Sequence, residues 1–235
     1  MAPNKKINSP KKKSNKTMYL AIGIIAIILI GIGAYILLGQ SANPSANATP
    51  TPTPTPAPTT STSPSATPTD SHYVNPTKVL LQTTDGNITL ELRTDKPITT
   101  TNFINIVNHG WYAGTTFHRV IAGFMIQGGQ ISQSVPAISD EIGSDNHNTA
   151  YTITMAKTSQ PNSATSEFFI NVADNSQIKY PDGTTFDGTY SVFGRVVAGQ
   201  SVVDSIANAH VTTNPYGENS QPVNPVSVIK ATIIS

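Results

Sequence analysis

Along the chain the rhythm of apolar and polar positions changes character twice. Residues 18–38, MYLAIGIIAIILIGIGAYILL, hold neither a charge nor an alternation. As a helix such a run covers roughly 32 Å, enough for a bilayer core. Residues 39–72 then lose every large apolar side chain and become TPTPTPTPAPTTSTSPSATPTDS and similar sequence. From Tyr73 onward short apolar runs of strand length return, separated by turn residues. Lys78 to Thr84 and Asn87 to Arg93 read as two strands joined at Asp85-Gly86, where glycine supplies positive φ. Thr99 to His109 reads as a helix, with Thr99 or Thr100 as N-cap, Phe103, Ile106 and Val107 as the buried stripe, and Gly110 as the stop. Shorter β-like runs follow at 115–121, 124–128, 151–156, 167–172, 190–197 and 226–234. Gln200 to Ala207 is a second short helix with Val202, Val203 and Ile206 on one side. Many short strands with two helices predict a mainly β domain: a closed antiparallel barrel capped at its ends.

The stretch Phe117 to Gly129, FHRVIAGFMIQGG, stands out within that pattern. If Thr115 to Val120 is a strand, Phe117 and Arg119 share one face and His118 and Val120 the other. After Ala122-Gly123, Phe124, Ile126 and Gly128 face one way and Met125, Gln127 and Gly129 the other. A guanidinium, a long amide, a phenyl ring and a thioether thus share one short β segment. A lone Arg on a strand is usually a solvated edge residue, and Phe and Met in strands are usually core, so spacing alone points to structure rather than chemistry.

Charge refines the domain organisation. Formal net charge is +1, from 14 Lys and Arg against 13 Asp and Glu. That balance is uneven, because Lys5, Lys6, Lys11, Lys12, Lys13 and Lys16 precede the apolar run and no acid accompanies them. The positive-inside rule keeps this tail, residues 1–17, in the cytoplasm and sends the C-terminal body across. Residues 18–38 are then an uncleaved single-pass anchor. The rival is a cleaved signal peptide, for which Ala46-Asn47-Ala48 offers an A-x-A site, although its apolar core is usually shorter. Residues 39–72 cannot bury enough surface to offset ordering entropy and are expected to be a disordered, extended spacer. Residues 73–235 make one folded, monomeric domain. Without the leading lysines the chain is net acidic, which argues against a nucleic-acid partner. It contains no Cys, so disulfides and thiolate metal sites are excluded.

FHRVIAGFMIQGG resembles the signature of the cyclophilin family of peptidyl-prolyl isomerases, with Ala122 where that family usually has Pro. The resemblance continues through MAKTSQPNSATSEFFINVADN (155–175) and FDGTYSVFGRVVAGQSVVDSI (186–206), in the expected order. It implies an eight-stranded barrel with two helices and turnover of X-Pro bonds in proline-containing polypeptides. The implied residues are Arg119 and Gln127 as catalytic groups, Phe124, Met125 and Phe169 as the proline pocket, and Ala156 as a pocket wall. Lys157 beside it, together with Glu167, Phe186 and Tyr190, completes the implied substrate-binding set, and Lys157 looks bacterial rather than animal. Glu167 stands where many relatives carry Gln, and is expected to lie close to Arg119. Tyr190 replaces the His of animal members. The family's pocket Trp has no counterpart, Phe186 being the nearest aromatic substitute.

Such chemistry requires neither metal nor cofactor. Rotating an X-Pro bond breaks amide resonance against a barrier of about 18–20 kcal/mol. The prolyl nitrogen pyramidalises and gains a lone pair, so a donor aimed at it favours the twisted state over either planar one. Arg119, always charged and rigidly forked, suits that task, while Gln127 can hold the substrate backbone. A non-catalytic proline-peptide binding module, altered at Glu167 and Ala122, is the alternative. Elsewhere the signals are weak. His72, His109, His118, His147 and His210 lack metal-ligand spacing, His118 is expected to be structural, and Asp140-Glu141 reads as a solvated loop.

Overall fold

The computed structural model describes residues 71–235. The predicted cytoplasmic tail, membrane helix and all but the end of the spacer lie outside the described residues. Among the described residues no helix is long and apolar enough to cross a membrane.

Strands β1 (Lys78–Thr83) and β2 (Gly86–Leu92) form the expected hairpin, with Thr83 opposite Gly86 and Leu81 opposite Ile88. Both strands bury alternate side chains, Val79, Leu81, Ile88 and Leu90 among them, as a sheet with one apolar face requires. Helix α1 spans Pro97–Asn108 and buries Thr99, Phe103, Ile106 and Val107. It starts earlier than the threonines suggest. Pro97 fits the first turn because its missing N–H would be unpaired there anyway. The helix-capping acceptor comes from far away: Glu141 receives the N–H groups of Ile98 and Thr99 at 3.2 and 2.8 Å. Thr99 and Thr100 are therefore not caps. Asp140-Glu141 is no free loop either, since Asp140 also accepts from Lys157 at 2.7 Å.

The remaining strands are β3 (Arg119–Ile121), β4 (Met125–Gly128), β5 (Thr152–Met155), β6 (Phe168–Asn171) and β7 (Val192–Ala198). Helix α2 (Gln200–Ala207) follows, with Val203, Ile206 and Ala207 buried. The hairpin β8 (Val211–Thr213) with β9 (Asn219–Pro222) and the last strand β10 (Val228–Ile233) complete the chain. Eight strands make one antiparallel sheet in the order β10-β1-β2-β7-β5-β6-β4-β3, and β8-β9 stand apart as a two-stranded ribbon.

This sheet is curled but not closed, which corrects the expected barrel. Its edges, β10 and β3, share no ladder. The segments beside them meet at an isolated bridge, Thr116 to Ser227, flanked by Phe117 N–H to Val226 O (2.9 Å), Val228 N–H to Thr115 O (2.8 Å) and Gly114 N–H to Val228 O (2.8 Å). Beyond that bridge Phe117 turns into the core and β3 leaves β10 behind. The core fills the concave side: Phe103, Tyr112, Phe117, Phe168 and Phe193 are fully buried, and Phe103 meets Tyr112, Phe168 and Phe193 at ring distances of 5.1, 5.7 and 5.2 Å.

Where the chain enters this body, Thr94 N–H donates to His72 O at 3.0 Å and charged groups gather around the imidazole. His72 Nδ1 lies 3.0 Å from Asp95 and 3.4 Å from Asp145. Spacing in sequence gave no sign of that convergence. Arg93 is ion-paired with both carboxylates, and Lys96 Nζ lies 3.7 Å from Asp145. The acids are therefore already matched by cations.

Candidate active site

Cross-strand register builds the site. Arg119 on β3 stands opposite Gln127 on β4, Gln127 stands opposite Phe169 on β6, and Phe169 stands opposite Thr154 on β5. Directly opposed residues of an antiparallel pair project to the same face, so one transverse row carries Arg119, Gln127 and Phe169. The adjacent row, Val120, Ile126, Ile170 and Ile153, points inward and is fully or almost fully buried core. Site and core thus occupy opposite faces of the same four strands.

Period-2 reading from Thr115 misplaces Phe117 on the face of Arg119. Between the bridge at Thr116 and the start of β3 the chain leaves the ladder, so alternation does not carry across. Phe124 likewise precedes β4 and does not share the face of Ile126. Its ring lies 5.5 Å from Phe186, on the Arg119 side of the sheet. Met125 and Gln127 share their face as expected.

The apolar floor is a cluster of its own. Phe124, Met125, Phe169 and Phe186 are 1–4% exposed yet stand outside the main core. Phe169 meets Phe186 at 5.8 Å and Tyr190 at 5.5 Å, and Phe186 meets Tyr190 at 4.7 Å. Burial pushes the Tyr190 hydroxyl up from its ordinary range, with Tyr180 and the Arg119 charge opposing. Ala156 is half-buried at the end of β5, its N–H bonded to Glu167 O at 2.9 Å. The Lys157 ammonium is held by Asp140 at 2.7 Å and its side chain is almost buried.

Most of the Arg119 side chain is buried, and three of its five N–H donors are placed in hydrogen bonds to side chains. Nη1 donates to Gln127 Oε1 at 3.2 Å and lies 3.8 Å from Met125 Sδ. Gln127 Nε2 in turn donates to Glu167 Oε2 at 2.8 Å, and His118 Nε2 lies 3.4 Å from the same oxygen. Glu167 therefore lies near Arg119, as expected, and connects to it through Gln127. Burial raises the Glu167 carboxyl, but the His118 ring and the Gln127 amide outweigh it and hold it below its usual value. His118 sits at the edge of the site, not away from it, and its buried Nδ1 has no partner.

The acid that does pair with Arg119 is Glu218, between β8 and β9: Nε and Nη2 donate to its two oxygens at 2.6 and 2.7 Å. Sequence reasoning missed it. Ninety-nine positions separate the two residues, and no motif around YGENS marks a partner for Arg119. Trp111 packs against the main core and stacks on His109 at 4.4 Å. The arrangement is a fixed donor and an amide above an aromatic floor, with the polar chain His118–Glu167–Gln127–Arg119–Glu218 along one side.

Comparison with known proteins agrees with this geometry. Residues 78–233 match the model of the cyclophilin-type peptidyl-prolyl cis-trans isomerase/CLD family. A peptidyl-prolyl cis-trans isomerase of Acinetobacter baylyi is 43% identical over 173 residues, covering 70% of this chain and 89% of that protein. Peptidyl-prolyl cis-trans isomerase B of Escherichia coli is 36% identical over 164 residues, covering 67% and 99%. Among solved structures, a Cryptosporidium parvum cyclophilin-type isomerase crystallised in the presence of the dipeptide Ala-Pro aligns with TM-score 0.54 at 25% identity, covering 67% of this chain and 99% of that one. The chain belongs to the cyclophilin-type peptidyl-prolyl cis-trans isomerases.

Proposed function

We propose that Arg119 supplies the donor that turns the X-Pro bond, and that the activity is exercised outside the cytoplasm on a membrane tether. Arg119, Gln127 and Phe169 in one cross-strand row carry the residue assignment. A proline ring resting against Phe124, Met125, Phe169 and Phe186 brings its imide nitrogen under the guanidinium, and Gln127 steadies the flanking backbone. Rotation then proceeds with no bond made or broken other than hydrogen bonds. Removing one preorganised donor of this kind costs roughly 10²–10³-fold in turnover. Arg119→Ala in the full chain is accordingly expected to lose at least about 10²-fold in kcat/KM by NMR exchange on an Ala-Pro peptide. Retention of wild-type turnover by that variant overturns the assignment.

Support for the tether comes from sequence: the uncharged run 18–38, the lysines before it and the Thr/Pro-rich spacer after it. By sequence, some thirty residues of polyproline II at about 3.1 Å each would give such a spacer a reach of roughly 90 Å. The domain's substrates are then proline-containing polypeptides on the far side of the membrane. Protease added to intact cells is expected to digest the isomerase domain. Full protection until the cells are lysed reverses the orientation.

A further inference from the structure

Glu218 closes a tight turn. Its N–H donates to Asn214 Oδ1 at 3.0 Å, its carbonyl accepts from Asn214 N–H at 2.8 Å, and Gly217 beside it adopts φ +89°. The carboxylate is therefore presented by anchored backbone, and β9 behind it packs on β3. Glu218 and Arg119 side chains are only 10% and 12% exposed, so water competes poorly for either. Burial raises the Glu218 carboxyl, but the Arg119 hydrogen bonds and charge prevail and hold it below its ordinary range. Glu218 stays ionised at neutral pH.

A guanidinium carries five N–H donors in one plane. Nε and Nη2 give one each to Glu218, and Nη1 gives one to Gln127. Glu218 thus grips the inner edge, beside the aliphatic stem, and leaves the outer edge formed by Nη1 and Nη2. Met125 Sδ, 3.8 Å from Nη1, is a weak acceptor that a peptide displaces easily.

We propose that Glu218 is a positioning residue for isomerisation, clamping the inner edge of Arg119 so that its outer edge faces the prolyl nitrogen. The inference rests on the assignment of Arg119 made above. Pairing with a carboxylate sacrifices net positive charge, but this reaction makes little use of charge. Twisting the amide generates a lone pair on a neutral nitrogen, not an anion, so the direction of the N–H matters more than the field behind it. A donor already aimed needs no reorganisation at the transition state.

The test compares Glu218→Ala, Glu218→Gln and Arg119→Ala in the full chain. It measures kcat and KM per folded molecule by NMR exchange, together with the Arg119 Nε–H resonance, identified by its loss in Arg119→Ala. Expected for Glu218→Ala is a fall in kcat of roughly 10- to 100-fold with KM changed less than about threefold. Its Nε–H signal should be lost to solvent exchange. Glu218→Gln keeps the shape and one acceptor, so it should fall between Glu218→Ala and wild type, and it carries the test alone if the alanine variant does not fold. Turnover per folded molecule at or above wild type in the Glu218 variants overturns the inference, as does an unchanged Nε–H signal. If Arg119→Ala remains active, the Arg119 assignment fails. If Arg119→Ala is inactive while both Glu218 variants keep full kcat, only the role of Glu218 fails.

Discussion

Gly199 decides whether β7 can hand over to α2. It precedes the helix with φ +84°, and a Cβ built there would lie 2.1 Å from Asn87 O and 3.0 Å from Ile88 Cα. Both obstacles are backbone atoms of the β1–β2 hairpin and its second strand, so no rotamer change can relieve them. Left-handed φ adds roughly 1–2 kcal/mol for any residue with a Cβ. Gly199→Ala is expected to lose at least about 2 kcal/mol, or roughly 4–8 °C in melting temperature for a domain of this size. Gly183, at φ +87° with nothing within 4 Å of an added Cβ, is the control and should show only the backbone penalty. Calorimetry on the two variants separates them; equal losses would mean that the contact with Asn87 is not what constrains Gly199. At the candidate site residue identity alone tells less. The guanidinium, amide and aromatic floor were legible because their spacing in FHRVIAGFMIQGG and SEFF resembles a family pattern. Glu218 was not, because a contact across 99 positions leaves no local mark.

Elements were legible where periodicity and turn chemistry agree. The β1–β2 hairpin, the buried stripe of α1 and the span of α2 follow from alternation, a 3.6-residue stripe and glycine at the ends. Prediction failed where one element borrows a group from another. Helix α1 takes its capping acceptor from Glu141, so the threonines near its start looked like caps and are not. At Thr115–Arg119 a bridge, a turn into the core and a new strand occupy what reads as one continuous alternation. Period 2 holds only while consecutive residues stay in one ladder. The same break explains why the barrel is left open. The residues that would extend β3 alongside β10 instead send Phe117 inward, against Phe168 at a ring distance of 6.2 Å. An open edge there leaves β3 beside β9, which is what brings Glu218 within reach of Arg119. Closure of the sheet and presentation of the acid are thus alternatives for the same strand edge.

For the whole molecule the relevant quantity is how tightly its carboxylates are held in the folded state. Arg93, almost buried, ties Asp95 and Asp145 together where the chain enters the domain. Hydrogen bonding from Arg93 holds the Asp95 carboxyl far below its ordinary range. Burial raises Asp145, but hydrogen bonds from Arg93 and the backbone outweigh it and hold it low as well. Glu167 and Glu218 are depressed in the same sense by their partners. Each of these groups binds its proton less readily folded than unfolded. Their stabilisation is complete above the unfolded carboxyl range, about pH 4, and disappears as pH falls through the lower folded values. Urea midpoints should therefore be level between pH 7 and pH 5 and drop steeply from about pH 4 downward. Asp95→Asn separates this network from general acid expansion. At pH 7 the variant lacks the ion pair and should unfold at lower urea than wild type. Near pH 2 the wild-type carboxyl has itself begun to lose its advantage, so the gap between the two proteins should narrow. Curves that stay parallel from pH 7 to pH 2 would mean that Asp95 stabilises by its shape and not by its charge.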